Sequence, residues 1–371
     1  MADIVDQTLH LTSPGTSVTR EGLALLVEVA EYPAGLPRPD RTRAAAIGWR
    51  RMSLPIDQLD SVCVFDPAIT FSPGAQELCL DHGVAVNFLR EYGRLLARFT
   101  GVADRSAAVR RTQFRAADTP GIAATIARSL VAGRLQNSRN LLLRAILDTS
   151  DSREQQRLRA GAEELARHLH DLARLSSASM SNSGIAHVLR GLETAATDTY
   201  FGIFDSLLKP SQPGFVFKGR IRRSPPDRVN SLLNFVYGMV LHDCTAAVSA
   251  MGLDPAVGFL HAERPNRPAL ALDLMEEFRP WLADQLVIEL IRRKQLGAEH
   301  FCSGAEGAVE LSDAGGEVVV TAYQRRKEET LHHPFFDRAF QIGQIPVVQA
   351  RLLARFLQGE APEYTPLILK G

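Results

Sequence analysis

The residues best suited to chemistry lie between positions 193 and 279. His261 closes the segment Gly258-Phe259-Leu260, and eight residues later the chain enters Ala269-Leu270-Ala271-Leu272-Asp273-Leu274-Met275-Glu276-Glu277-Phe278-Arg279. On a helix, Asp273, Glu276 and Glu277 fall at i, i+3 and i+4 and share one face. Carboxylates gathered in this way repel one another and invite a cation, and the His261 imidazole reaches the same point across the intervening loop. Carboxylate oxygens with one imidazole suit Mg2+ or Mn2+, the nitrogen favouring Mn2+. A plainer reading stays open. Acids gather at helix starts because the helix dipole favours them there, and a single histidine on an apolar segment is most often a satisfied core residue.

Glu193 is the second candidate, alone among small residues in Gly191-Leu192-Glu193-Thr194-Ala195-Ala196. Small neighbours let its carboxylate pack closely on another element; alternatively it is an exposed helix glutamate, as most are. The third is cationic. Lys218, Arg220, Arg222, Arg223 and Arg228 are opposed only by Asp227. Such a cluster in a neutral chain is a candidate phosphate contact, and guanidinium geometry matches phosphate. A solvated charge run is the rival. Arg105, Arg110, Arg111 and Arg115, and the run Arg325-Arg326-Lys327, are lesser cationic patches.

Two kinds of element must hold these groups. In the first hundred residues, short apolar runs at 23–29, 62–65 and 84–88 alternate with proline and glycine turns, the texture of a small sheet. Ser72-Pro73 opens a helix over 74–82. Beyond residue 101, apolar residues recur every three or four positions over 107–114, 122–149, 152–175 and 184–208. Turn clusters at 118–121 and 176–184 and a proline loop at 209–214 separate them. Asp227, after Pro225-Pro226, caps a helix to about 251. A hairpin is expected at 315–320, from Gly315-Gly316, and a closing helix at 345–356. The expected fold class is therefore α+β: a small N-terminal β-sheet domain (1–100) followed by a large helical catalytic domain (101–371).

Composition narrows the class. With 371 residues, two domains are expected at ~150 residues each, and the chain is 45% hydrophobic and 23% charged, ordinary for a globular protein. Forty-two basic residues balance 42 acidic ones, which excludes a uniformly cationic nucleic-acid coat but not a local groove. Cys63, Cys79, Cys244 and Cys302 are far apart, which argues against a zinc ribbon or disulfide framework. No apolar run approaches the ~18 residues of a membrane span, and no basic leader precedes an apolar stretch. A cytoplasmic protein, not exported, is expected.

Taken in order, these segments resemble a known family, the CRISPR-associated integrase that is the large subunit of the spacer-acquisition machinery. The resemblance rests on Gly191-Leu192-Glu193 with Tyr200-Phe201, on Phe217-Lys218-Gly219-Arg220 with Arg223-Ser224-Pro225-Pro226-Asp227 and Val229-Asn230-Ser231, on Gly252-Leu253-Asp254-Pro255 with Gly258-Phe259-Leu260-His261, and on the run from Arg267 through Asp273 and Glu276 to Pro280. The tail from Gln349 to Arg355 is similar too, and most resembles the type I-C branch. Thr194 stands where the family has glycine, Ala269 where it has serine and Ser224 where it has proline.

The resemblance implies that Glu193, His261 and Glu276 bind a divalent ion, Mg2+ or Mn2+, with Asp273 a further catalytic carboxylate in support and Asn230 a supporting amide. It implies that Lys218, Arg220, Arg222, Arg223 and Arg228 contact DNA. The reaction expected is attack of a fragment's 3′-hydroxyl on a phosphodiester of the repeat array, with nuclease activity when water replaces the hydroxyl. Double-stranded DNA, a second copy of the chain and the small second adaptation protein are the implied partners. Two other readings remain: a stand-alone nuclease on branched DNA, and a non-catalytic DNA-binding scaffold.

Overall fold

Alternating side chains turn the N-terminal stretch into strands. The computed structural model describes residues 2–5, 8–11, 13–33, 42–59, 61–64, 66–89, 95–101, 106–175, 182–208, 213–304 and 307–369. The chain divides into two compact units, each built from separate stretches. One comprises Met1–Gln113, His242–Pro255 and Pro346–Glu360, the other Phe114–Leu241, Ala256–Ile345 and Ala361–Gly371.

The first unit carries strands β1 (Ala2–Val5), β2 (Thr8–Leu11), β3 (Ser17–Glu21), β4 (Ala24–Glu31), β5 (Gly48–Pro55), β6 (Ser61–Val64), β7 (Thr70–Phe71), β8 (Ala85–Leu89) and β9 (Leu95–Phe99). They form a sheet of order β1-β2-β6-β8-β9, with a parallel centre and antiparallel edges, and a sheet of order β5-β4-β3-β7. Leu25, Val27 and Val29 on β4 are buried at alternate positions, meeting Leu9, Val62 and Val86 in one core. Helix α1 (Pro73–Asp81) starts as the sequence dictates: the Ser72 hydroxyl accepts from Ala75 N at 3.2 Å, and proline occupies the first turn. Two buried contacts tie residues 242–255 into this unit. Gln113 exchanges both amide hydrogen bonds with the Asp254 backbone at 2.8 Å, and Asn87 donates to Ala250 O at 3.4 Å. Cys63 and Cys79 are buried here, and burial pushes both thiols up to about 12; they are packing residues.

The second unit is mainly helical. Helices α2 (Ser106–Asp118), α3 (Pro120–Asp148), α4 (Ser152–Arg174) and α5 (Asn182–Gly202) follow the expected periodic stretches, and α3, α4 and α5 pack on one another. The cluster at 118–121 shrinks to one residue, Thr119, and residues 176–181 and 209–212 of the expected turns lie outside the described residues. The stretch 184–208 is broken at Ile203, so a short α6 (Phe204–Leu207) follows α5. Asp227 accepts from Asn230 N at 2.8 Å and opens α7 (Arg228–Ala250). After α7 come α8 (Ala269–Met275), α9 (Gln285–Arg292), hairpin β10/β11 (Phe301–Ser303, Val309–Leu311), α10 (Asp313–Glu328), hairpin β12/β13 (Thr330–His333, Arg338–Gln341) and α11 (Ile345–Leu357); α2 up to Gln113, α7 from His242 and α11 from Pro346 count with the first unit.

The hairpin expected at 315–320 is overturned. Those residues lie inside α10, capped by the Ser312 hydroxyl on Gly315 N at 3.2 Å. Val319, Tyr323 and Lys327, four apart, form its buried stripe, so the helical period outweighs the paired glycines. Gly315 is required for closeness, since a Cβ there would meet His300 O at 2.3 Å. Among the described residues no helix is long and apolar enough to cross a membrane.

Leu78 on α1 is wholly buried in the core between the sheets. Leu78→Ala is expected to cost about 2–5 kcal/mol, read by denaturant unfolding of the first unit's signal; a loss well under ~1 kcal/mol would contradict the packing described.

Candidate metal centre and nucleic-acid interface

A broken helix aims the acidic residues. Helix α8 ends at Met275, and the turn tightens: Glu276 N bonds to Asp273 O and Phe278 N to Met275 O. Pro280, with no N–H to give, then widens the backbone into a π-helical turn over Arg279–Asp284 before α9 resumes. The tightened turn splits two adjacent glutamates that the sequence places on one face. Glu276 turns towards His261, Arg134 and Arg279. Glu277 turns away, accepting from Tyr364 Oη and from Leu367 N. Gly133 makes room for that tail segment, a Cβ there falling 2.8 Å from Pro366 Cβ.

Asp273 is a splint. Its buried carboxylate accepts from the backbone N–H groups of Phe259 (2.6 Å), Leu260 (3.0 Å) and His261 (2.9 Å), and lies 2.7 Å from His261 Nδ1. A carboxylate already taking three N–H donors requires the imidazole to donate as well, so Nδ1 carries the proton and Nε2 keeps its lone pair. The glycine of Gly258-Phe259-Leu260-His261 is needed for this closeness: a Cβ at Gly258 would lie 2.7 Å from the Asp273 oxygen.

Glu276 is fully buried. One oxygen, Oε2, accepts from Arg134 at 2.5 Å. The other, Oε1, lies 3.8 Å from His261 Nε2 and 2.9 Å from an Arg279 nitrogen, yet no hydrogen bond is directed at it. Burial pushes the Glu276 carboxyl up, but Arg134, then Arg279, outweigh it and hold the group below the usual carboxylate range. Glu193, on α5 and about one-fifth exposed, accepts from the same Arg134 nitrogen and from the Thr197 hydroxyl at 3.0 Å. Arg134 sits on the buried stripe of α3 with Ile126, Leu130, Ser138 and Leu142, and although burial opposes its charge, Glu276 and Glu193 raise its pKa above the ordinary value.

Arg134 thus brings Glu193 and Glu276 together, while Asp273 brings His261 to Glu276. Among the described residues, no group of three or more His, Cys, Asp or Glu side chains is gathered tightly enough to hold a metal ion. The donor set nevertheless suits one. Two carboxylates, an imidazole with its lone pair on the outward nitrogen, and a buried carboxylate oxygen lacking a hydrogen bond match Mg2+ or Mn2+ chemistry.

The basic loop divides into half-buried and open cations. Asn230, fully buried, donates to Gly219 O (2.9 Å) and Asp227 (2.7 Å) and accepts from Ile221 N (2.8 Å) and Arg220 (3.0 Å). Its position is that of a brace for the loop. Arg220 is held further by Asn234 at 2.7 Å and lies over the Tyr237 ring, and Arg228 lies over Phe215 and Phe301. Lys218, Arg222 and Arg223 are exposed. Ser224 has φ +44°, a backbone closed to proline, so this loop takes a path that a proline-bearing relative cannot. A cleft of about 620 Å3 runs between Glu193, Thr197 and Asp198 of α5 and Lys218, Arg220 and Arg222 of the loop. Thr194 is exposed on its rim, its hydroxyl turned back to Arg190 O, and so does not crowd the α5 packing. Of the lesser patches, Arg326 pairs with Glu289 at 2.6 Å, Lys327 lies over Tyr323, and Arg105 is outside the described residues.

Beneath the loop lies a network that pattern reading missed. Tyr237 is flanked by Arg220 and Arg279 at 5.1 and 5.2 Å from its ring centre. It donates to Asp284 at 2.7 Å, and Tyr200 donates to the same carboxylate at 3.0 Å. Burial pushes the Asp284 carboxyl up to about 6, against the hydrogen bonds of the two tyrosines.

Known proteins place the chain in a family. The family model for CRISPR associated protein Cas1 matches residues 9–325. The chain belongs to the Cas1 family. A relative from Chlorobaculum tepidum, CRISPR-associated endonuclease Cas1 1, is 36% identical over 361 residues, covering 97% of this chain and 98% of that one; the chain is accordingly an enzyme of the nuclease kind. The fold is also that of a casposase bound to integration product (TM-score 0.74, 18% identity, 97% and 98% of the two chains) and of a chain in a partial Cas6-RT-Cas1–Cas2 complex (TM-score 0.70, 21% identity, 97% and 98%).

The Asp284 carboxyl gives this Cas1 a pH signature. Its folded pKa (about 6) exceeds its ordinary 3.8, so the folded state holds the proton more tightly, and this group's contribution to stability is lost as pH rises from about 4 to about 6. Asp284→Asn is expected to gain stability relative to wild type across that window, by a few kcal/mol at most. Parallel stability profiles for the two proteins would contradict the burial argument.

Proposed function

We propose that this chain is a metal-dependent DNA endonuclease and integrase that inserts DNA fragments into a CRISPR array during spacer acquisition. Glu193, His261 and Glu276 hold the ion, and Asp273 is the carboxylate behind His261. One observation carries the reading: Asp273 fixes the His261 tautomer and aims Nε2 at a buried Glu276 oxygen that no hydrogen bond satisfies.

A bound Mg2+ or Mn2+ would polarise the attacked phosphodiester and neutralise charge that develops on its oxygens. The chain's own side chains do the positioning that dominates phosphoryl transfer. Asp273 prevents the imidazole from rotating. Lys218, Arg222 and Arg223 hold the DNA backbone on the exposed side of the loop; Arg220 and Arg228, pinned by Asn230, Asn234 and the aromatic rings, fix the loop's own shape. The cleft beside Glu193 receives the strand whose phosphodiester is attacked. A 3′-hydroxyl attacking the phosphorus there, as the bond to the strand's own 3′-oxygen breaks in line and that oxygen leaves as a 3′-hydroxyl, gives strand transfer, and water in place of the hydroxyl gives cleavage.

The casposase and Cas1–Cas2 likenesses support double-stranded DNA and a small second adaptation protein as partners. The family resemblance supports a homodimer, with the β-rich region 1–100 as its dimerisation and DNA arm and 101–371 as the catalytic region, working in the cytoplasm.

His261→Ala protein, folded by circular dichroism, is expected to lose strand transfer on a repeat-bearing duplex with Mn2+ by a factor of ~100 or more; near-normal transfer would remove the centre from the mechanism. Replacing Arg222 and Arg223 together with Ala should weaken DNA binding and flatten the plot of log affinity against log salt by up to ~2, measured by fluorescence anisotropy. An unchanged slope would take the loop out of the DNA path.

A further inference from the structure

One guanidinium nitrogen serves two carboxylates that the ion needs. Arg134 Nη1 donates both to Glu193 Oε1 and to Glu276 Oε2. The Arg134 side chain is 6% exposed and rooted on the inner stripe of α3, so it cannot swing into water. With Arg279 beside Glu276, two guanidinium groups face two carboxylates, and the pair is neutralised without any ion. This solves a folding problem: carboxylates left facing each other out of water would carry a heavy cost.

The arrangement also sets an order of events. Glu276 is already divided, Oε2 to Arg134 and Oε1 towards His261 Nε2, so it can meet an ion without losing its arginine. Glu193 is different. Its Oε1 is held by the Arg134 nitrogen, with the Thr197 hydroxyl 3.0 Å away, so turning this carboxylate towards an ion works against that pair. Its exposure, greater than that of fully buried Glu276, makes it the partner free to move.

We propose, resting on the metal centre inferred above, that Arg134 is a resident competitor for that ion: a positioning residue that holds Glu193 until the ion takes it. Ion binding is then an exchange in which Glu193 leaves the Arg134 nitrogen as it reaches the metal, while Glu276 stays with both. Affinity for the ion is lowered by the strength of the Arg134–Glu193 pair. Arg134 therefore tunes loading, and the protein is stable before loading.

Mn2+ binding to the full-length protein, followed by the loss of the free-ion electron paramagnetic resonance signal, tests this without reference to activity. Arg134→Gln is expected to melt at a lower temperature without metal, to bind Mn2+ tighter by roughly tenfold or more because a buried carboxylate pair loses its counter-charge, and to gain more in melting temperature on adding Mn2+. If Arg134→Gln does not fold free of metal, Arg134→Lys keeps a charge but loses the planar fork, and should bind Mn2+ a few-fold tighter than wild type. Mn2+ affinity equal to or weaker than wild type in whichever variant folds, with binding lost in His261→Ala, overturns the competitor role while the metal centre stands. Mn2+ binding that His261→Ala leaves unchanged overturns both.

Discussion

Glu276 is a carboxylate taken wholly out of water, and the rest of the site is organised by what that demands. A buried anion must be paired and hydrogen-bonded or it neutralises itself. Here Arg134 from α3 and Arg279 from the π-helical turn keep it ionised, and the His261 ring lies against its other oxygen. Each partner comes from a different stretch of chain, so one charge fixes the mutual placement of α3, the 258–261 segment and the turn after α8. Asp273 does the same for His261, gathering three backbone N–H groups and the ring nitrogen on one carboxylate. The result is preorganisation. The imidazole has one orientation before any ion or DNA arrives.

The basic loop proposed to face DNA follows a different logic. Affinity for a phosphate backbone comes from cations that shed their counterions, and these must be exposed, as Lys218, Arg222 and Arg223 are. A loop of exposed cations would have no fixed shape unless something internal held it. Asn230 meets that need with four hydrogen bonds, and half-buried Arg220 is held against Tyr237. Tyr237 also lies against Arg279, the partner of Glu276. The loop and the carboxylate centre therefore share a rigid neighbour, through which the position of one constrains the other.

Much of this could be read from the sequence, and the failures have physical causes. Strands of the first unit were legible because short apolar runs, such as 23–29, sit between proline and glycine turns. The long helices were legible from the opposite period. His261 with Asp273 and Glu276 stood out because i, i+3 spacing survives even where the helix does not. What spacing could not separate was Glu276 from Glu277, since the turn that parts them depends on Pro280 and on the tail residues Tyr364 and Leu367. Arg134 carried no signal at all: it is one of four arginines on α3, with Arg128, Arg139 and Arg144, and only tertiary packing selects it. The glycines at 315 and 316 suggested a turn where Ser312 and the stripe Val319-Tyr323-Lys327 make a helix. Local signals of equal strength conflicted there, and burial decided.

The central claim is that Glu193, His261 and Glu276 are the donors to one divalent ion. Anomalous diffraction from crystals soaked in Mn2+ measures this directly. The account predicts a single strong peak within bonding distance of His261 Nε2 and Glu276 Oε1, with the Glu193 carboxylate turned towards it and parted from Arg134. A peak bound elsewhere, or fully soaked crystals in which these three side chains hold no manganese, would contradict it.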